Sequence, residues 1–222
     1  MDLIDKLITQ RPSFHDSETE VRRSFEPSES LLPEAYARNL AGGGLTCYGI
    51  DQEVLRFLAE NVLEDNRTLE IGAGYTTLVL TSRKAEHTAV TPSETEIRRI
   101  IEYAGTHGIQ LDKLTFINEP SETYLPRCDL TNLDLVLIDG KHAFPWPIVD
   151  WFYTANKLRC GGLMLLDDMQ IRSVGILVEF MSVDPGWQLA YDFSGKAVAF
   201  RKVRDQPLDV AWHMQPWTVT SR

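Results

Sequence analysis

Residues 68–78 read "TLEIGAGYTTL": an apolar strand carrying one acid, Glu70, then Gly72 and Gly74, then a run of helical period. A strand that turns through glycines straight into a helix is the opening of a βαβ unit. Glycines at such a turn let the backbone pass close to a ligand, and the first amides of the following helix are unpaired donors that face it. Taken alone, the pattern also fits an ordinary tight turn. A nicotinamide fingerprint would need a third small residue three positions after Gly74, where this chain has Thr77, so a dinucleotide is the weaker ligand reading.

Working outward, apolar runs of strand length alternate with longer helical stretches, with strands expected at 67–71, 87–91, 114–118, 133–138 and 163–166. Asp51 is a plausible N-cap for a helix with Val54, Leu55, Leu58, Val62 and Leu63 on one face,. The segment 187–203, "WQLAYDFSGKAVAFRKV", reads as two strands around a Ser194-Gly195 turn, with an antiparallel strand over 196–203 in the region of the sheet edge. The expected fold is therefore α/β: a Rossmann-like, doubly wound, seven-stranded and mostly parallel sheet with one antiparallel strand. Residues 1–50 read as a helical N-terminal cap or lid with a hinge at Gly42, Gly43 and Gly44, residues 51–203 as the main domain, and 204–222 as a tail that Trp212 and Trp217 would pack on the body or on a neighbouring subunit.

Composition narrows the function. The chain has 222 residues, 43% hydrophobic and 24% charged, with a formal net charge of −10. One globular core is expected, and a surface of that sign repels phosphate backbones, which argues against nucleic acid as a partner. Neither a membrane span nor a secretory leader is expected. Cys47, Cys128 and Cys160 are odd in number and form no C-x-x-C pair, which fits a reducing, cytoplasmic setting better than disulfides or structural zinc. A small-molecule partner is expected, and self-association as a homo-oligomer is compatible with the tail.

Ligands of an open parallel sheet bind beyond the carboxyl ends of its strands, so those ends carry the chemistry. The first offers Glu70, Gly72 and Gly74. The second commonly ends in an acid that accepts from ribose hydroxyls; here Thr91 stands there, with Glu94 a few residues on. After the third comes Ser121, either a helix cap or a contact for an adenine edge. The fourth and fifth end in Asp139 and in Asp167-Asp168, so three carboxylates converge on one rim. A shared divalent cation would relieve their repulsion, and an all-oxygen set suits Mg²⁺; helix capping is the alternative. His142 follows closely and could accept a proton near neutral pH, while Lys141 reads as a charged rim residue. Phe144 and Trp146 are candidates for a substrate wall, and Val149, Phe152 and Tyr153 for the core.

Four ordered segments, "TLEIGAGYTTL", "PSETYLP", "LDLVLIDGKHAF" and "GGLMLLDDM", together resemble class I S-adenosylmethionine-dependent methyltransferases, in particular the metal-dependent O-methyltransferase branch that includes catechol and macrocin O-methyltransferases. The 28-residue separation of Asp139 and Asp167, followed by Asp168, is the most specific part. The resemblance implies S-adenosylmethionine bound around Glu70, Gly72, Gly74, Thr91, Ser121 and Asp139, with Mg²⁺ or another divalent cation on Asp139, Asp167 and Asp168. It implies catalytic roles for His142 and Asp139 in methylating a hydroxyl on a small molecule. The chain departs from the catechol enzymes in having Asp168 where they have Asn, Thr91 where an acid binds ribose, and His142 where a catalytic lysine stands, with Lys141 one residue earlier. A nicotinamide-dependent oxidoreductase and a non-catalytic S-adenosylmethionine-binding scaffold are the alternatives from other classes.

Overall fold

The computed structural model describes residues 2–15, 50–205, 213 and 215–218. Its centre is a seven-stranded sheet built from β1 (Arg67–Ile71), β2 (Glu86–Val90), β3 (Leu114–Ile117), β4 (Leu133–Ile138), β5 (Leu158–Leu166), β6 (Trp187–Phe193) and β7 (Ala197–Lys202), in the order β3-β2-β1-β4-β5-β7-β6. The first five strands are parallel; β7 runs antiparallel to β5 on one side and β6 on the other. The one reversed strand is thus an inner strand, and β6 forms the edge. The connections reverse direction between β1 and β4, the switch point at which open α/β sheets take their ligands.

Alternation along the strands feeds two cores. Leu135 and Leu137 of β4 join Ala89, Leu163, Leu165, Ala197 and Ala199 under α1 (Leu3–Gln10), α2 (Gln52–Asn61), α3 (Tyr75–Ser82) and α4 (Glu94–His107). Val136 and Ile138 point the other way, with Leu69, Ile71, Met164 and Phe200, onto α6 (Trp146–Thr154) and α7 (Arg172–Val183). The short α5 (Ser121–Tyr124) precedes a 3₁₀ turn whose Leu125 enters this second core. Lys202 is buried, donating to the carbonyls of Ala155 (3.0 Å) and Leu158 (2.8 Å), which ties β7 to the end of α6. Cations satisfy free carbonyls at helix C-termini in this way.

Several local expectations change. Asp51 is the N-cap residue of α2, without a side-chain cap bond, and the helix stops at Asn61, which leaves Leu63 61% exposed. On α6 the buried face is Pro147, Asp150, Trp151 and Thr154, and Phe152 is half-exposed, because Trp151 claims the core by packing edge-on to Phe180 at 5.4 Å. β5 begins five residues earlier than its apolar run. Trp217 packs edge-on to Phe180 at 5.5 Å; Trp212, Cys47 and the Gly42–Gly44 hinge lie outside the described residues. Among the described residues, no helix is long and apolar enough to cross a membrane.

Candidate active site

The glycine turn after β1 is braced from below. Glu70 is buried, and its carboxylate accepts from the hydroxyls of Thr76 and Thr77, the latter at 2.6 Å, with His87 Nε2 at 3.2 Å. Thr77 Oγ1 also accepts from the Gly74 amide at 2.9 Å. Glu70, expected as a donor contact, is thus engaged on the inner side of the turn, and Thr77 has a structural use in place of the third small residue. The two glycines differ. Gly72 has φ +105°, and a Cβ there would lie 2.4 Å from the carbonyl oxygen of Asp139, so the close packing of β1 on β4 by itself requires glycine here. At Gly74 a Cβ would meet nothing within 4 Å, so this is where open space adjoins the turn.

At the next strand end Thr91 is buried, and its hydroxyl donates to Glu96 Oε2 at 2.6 Å. Glu96 Oε1 takes a second bond, from His15 Nδ1 at 2.9 Å. An acid therefore stands at this rim, supplied by the first turn of α4. "SETE" at 93–96 has the S-x-x-E pattern of a capping box, which pointed inward and hid it. Ser121, at the start of α5, is buried, with its hydroxyl beside Asp150 of α6 but outside ordinary hydrogen-bond geometry. Burial pushes the Asp150 carboxyl up to about 6, with Ser121 opposing and Glu122 adding to the shift.

Asp139, Asp167 and Asp168 follow directly on β4 and β5, with the Asp139 amide on the Ile71 carbonyl and the Asp167 amide on that of Ile138. Asp168 has a left-handed backbone, φ 57°, which aspartate tolerates better than most residues. One oxygen each of Asp139 and Asp168 and a ring nitrogen of His142 lie within 4.8 Å of one another. His142 Nε2 is 3.7 Å from Asp139 Oδ1 and 3.6 Å from Asp168 Oδ2, too far for hydrogen bonds, and is buried without a partner. Asp167 lies outside that trio, but its Oδ1 is also buried and unpartnered.

The electrostatics explain the spacing. Burial, then Asp167, Asp168 and Glu70, hold the Asp139 carboxyl well above the usual range, against which Lys196 works. Burial and Asp168 push Asp167 up to about 6. Burial lowers His142 below the ordinary imidazole value, with Asp168 opposing. Buried carboxylates this close are costly unless positive charge joins them, so the donor set fits a divalent cation. Lys141 lies over the Trp146 ring at 4.3 Å, and Phe144 is 68% exposed.

Comparison with known proteins agrees with this fold. Residues 69–169 match the family described as "Methyltransferase domain". A Staphylococcus aureus protein provisionally assigned as a caffeoyl-CoA O-methyltransferase is 17% identical, with a TM-score of 0.60 over 91% of this chain and 97% of that one. TomG from Streptomyces achromogenes, an O-methyltransferase of tomaymycin synthesis solved with SAM, is 13% identical, with a TM-score of 0.57 over 83% and 96%. A Clostridium thermocellum protein provisionally assigned as an rRNA methylase is 14% identical, with a TM-score of 0.57 over 71% and 99%. At such identities these neighbours share the fold, not an acceptor. No curated protein sequence matches the chain. Residues 69–169 thus match a methyltransferase domain, and the Rossmann-like sheet that carries them is the fold these solved methyltransferases share.

Proposed function

We propose that the protein is an S-adenosylmethionine-dependent O-methyltransferase acting on a hydroxyl of a small molecule, assisted by a divalent cation such as Mg²⁺. The observation that carries this reading is the trio of Asp139, His142 and Asp168 at the switch point, next to the open space at Gly74. Asp139 and Asp168 would hold the cation, and Asp167 would join them through its unpartnered Oδ1. Gly74 and the N-terminal amides of α3 would receive the donor, with Ser121 on the adenine side. When bound, the donor supplies a methyl group on a sulfonium, and the cation supplies charge that favours the deprotonated form of a nearby hydroxyl.

The chain's own part is alignment and proton removal. The residues around the trio would have to align an acceptor oxygen with the methyl carbon of the donor. His142 takes the hydroxyl proton at Nε2: burial keeps the ring neutral near pH 7, and no protein group occupies that nitrogen,. Exposed Phe144 offers an apolar wall for the acceptor, and the net negative surface disfavours a nucleic-acid acceptor,. The family match favours this reading over a nicotinamide oxidoreductase, and turnover would separate it from a scaffold. The test is transfer from labelled S-adenosylmethionine to a panel of vicinal diols and catechols, with Mg²⁺ or with chelator. Chelator-sensitive methylation is expected; turnover indifferent to chelator would remove the cation from the reading, and a failure to bind donor product would remove the donor.

A further inference from the structure

A donor with a ribose carries two adjacent hydroxyls, and a carboxylate suits them because it accepts two bonds and offers no competing donor. Glu96 is the carboxylate at the end of β2. The register pairs Ile71 with Val90, and the Gly72 amide donates to the Val90 carbonyl at 2.9 Å, so Thr91 stands beside the glycine turn. Ser93 caps α4 by accepting from the Glu96 amide at 3.2 Å, yet the reciprocal bond of a capping box is not made: the Ser93 amide donates to Thr91 Oγ1 at 3.2 Å instead. This releases the Glu96 side chain toward the rim, where the Thr91 hydroxyl and His15 hold it in place. Each oxygen still has a lone pair left, and the N-terminus of α4 favours its charge.

His15 belongs to a segment, residues 12–15, laid across two helices. Tyr75 of α3 donates its hydroxyl to the Pro12 carbonyl at 3.0 Å, Arg99 of α4 donates to the carbonyls of Phe14 and His15, and Phe14 is buried edge-on between Tyr75 and Tyr103 at 5.8 and 5.6 Å. Both helices begin at the rim. We propose that Glu96 is the acceptor for the ribose hydroxyls of the donor, and that His15 is a positioning residue through which docking of residues 12–15 and donor binding reinforce one another. The inference rests on the donor assignment above and adds to it a relocated acid and a linkage to the N-terminal strap, which follows because each event orders the same carboxylate.

The test is calorimetric binding of S-adenosylhomocysteine and its 2′-deoxy analogue to the full chain, paired with amide hydrogen exchange. The parent should prefer the ribose form, and product should slow exchange at residues 13–15. Glu96→Gln should weaken product binding by roughly 10- to 100-fold and treat the two ligands alike; His15→Ala should weaken it by roughly 3- to 10-fold. Parental affinity and preference in Glu96→Gln would overturn the ribose role, and parental affinity in His15→Ala would overturn the coupling. Should Glu96→Gln fail to fold, exchange in the parent decides, and unchanged exchange at 13–15 overturns the proposal. A parent that binds no product at all defeats the donor assignment itself.

Discussion

Asp139 meets three demands at once: its amide continues the sheet by bonding Ile71, its carbonyl leaves no room for a side chain at Gly72, and its carboxylate faces His142 and Asp168. Substitutions around it should therefore separate structure from chemistry. Gly72→Ala would press a methyl against the Asp139 carbonyl and force a left-handed alanine, so it should cost about 3 kcal/mol in denaturant unfolding. Gly74→Val meets open space and should leave the unfolding midpoint nearly unchanged while weakening S-adenosylhomocysteine in calorimetry. If His142 is the base, His142→Ala should lower kcat by roughly 10²- to 10⁴-fold with product affinity preserved. Asp167→Asn should keep the fold and raise the cation concentration needed for half-maximal turnover. These carboxylates were legible in the sequence because each directly ends an apolar run. Glu96 was not, since its partner His15 is 81 positions away and its own neighbourhood reads as the helix cap that Ser93 forms.

Among the elements, β1 and β4 lie where their apolar runs begin and end, because strands buried on both faces leave no ambiguity about their extent. β5 ran past its signal: residues 158–162 include Arg159, Gly161 and Gly162, yet pairing of Leu133 with Leu158, across a register shift, extends the strand. α6 shows the opposite failure. Its sequence "WPIVDWFYT" is apolar nearly all round, so periodicity could not choose the inner face, and contact with α7 through Trp151 and Phe180 did. Trp151→Ala should therefore cost about 3–5 kcal/mol by urea unfolding, whereas Phe152→Ala on the outer face should cost under about 1 kcal/mol.

For the whole molecule, buried carboxyls raised above their unfolded values make the native state hold protons that the unfolded chain has released. Stability from such groups is present at low pH and is lost as pH rises through the raised value. Asp150 isolates the effect, being remote from the Asp139 rim in its interactions and raised to about 6. Relative to the parent, Asp150→Asn should gain about 1–2 kcal/mol of unfolding free energy between about pH 5 and about pH 8; a difference flat in pH would show Asp150 to be unshifted. Strand order has a consequence of another kind. β7, the last of the described strands, lies inside the sheet between β5 and β6, so neither neighbour is completed until residues 197–202 have left the ribosome. At about 5–20 residues per second, a nascent chain shows the unpaired edge of β5 to the cell for several seconds, a period when chaperones have most to protect. A ribosome that stops after β6 would release a chain with two open strand edges and nothing to join them.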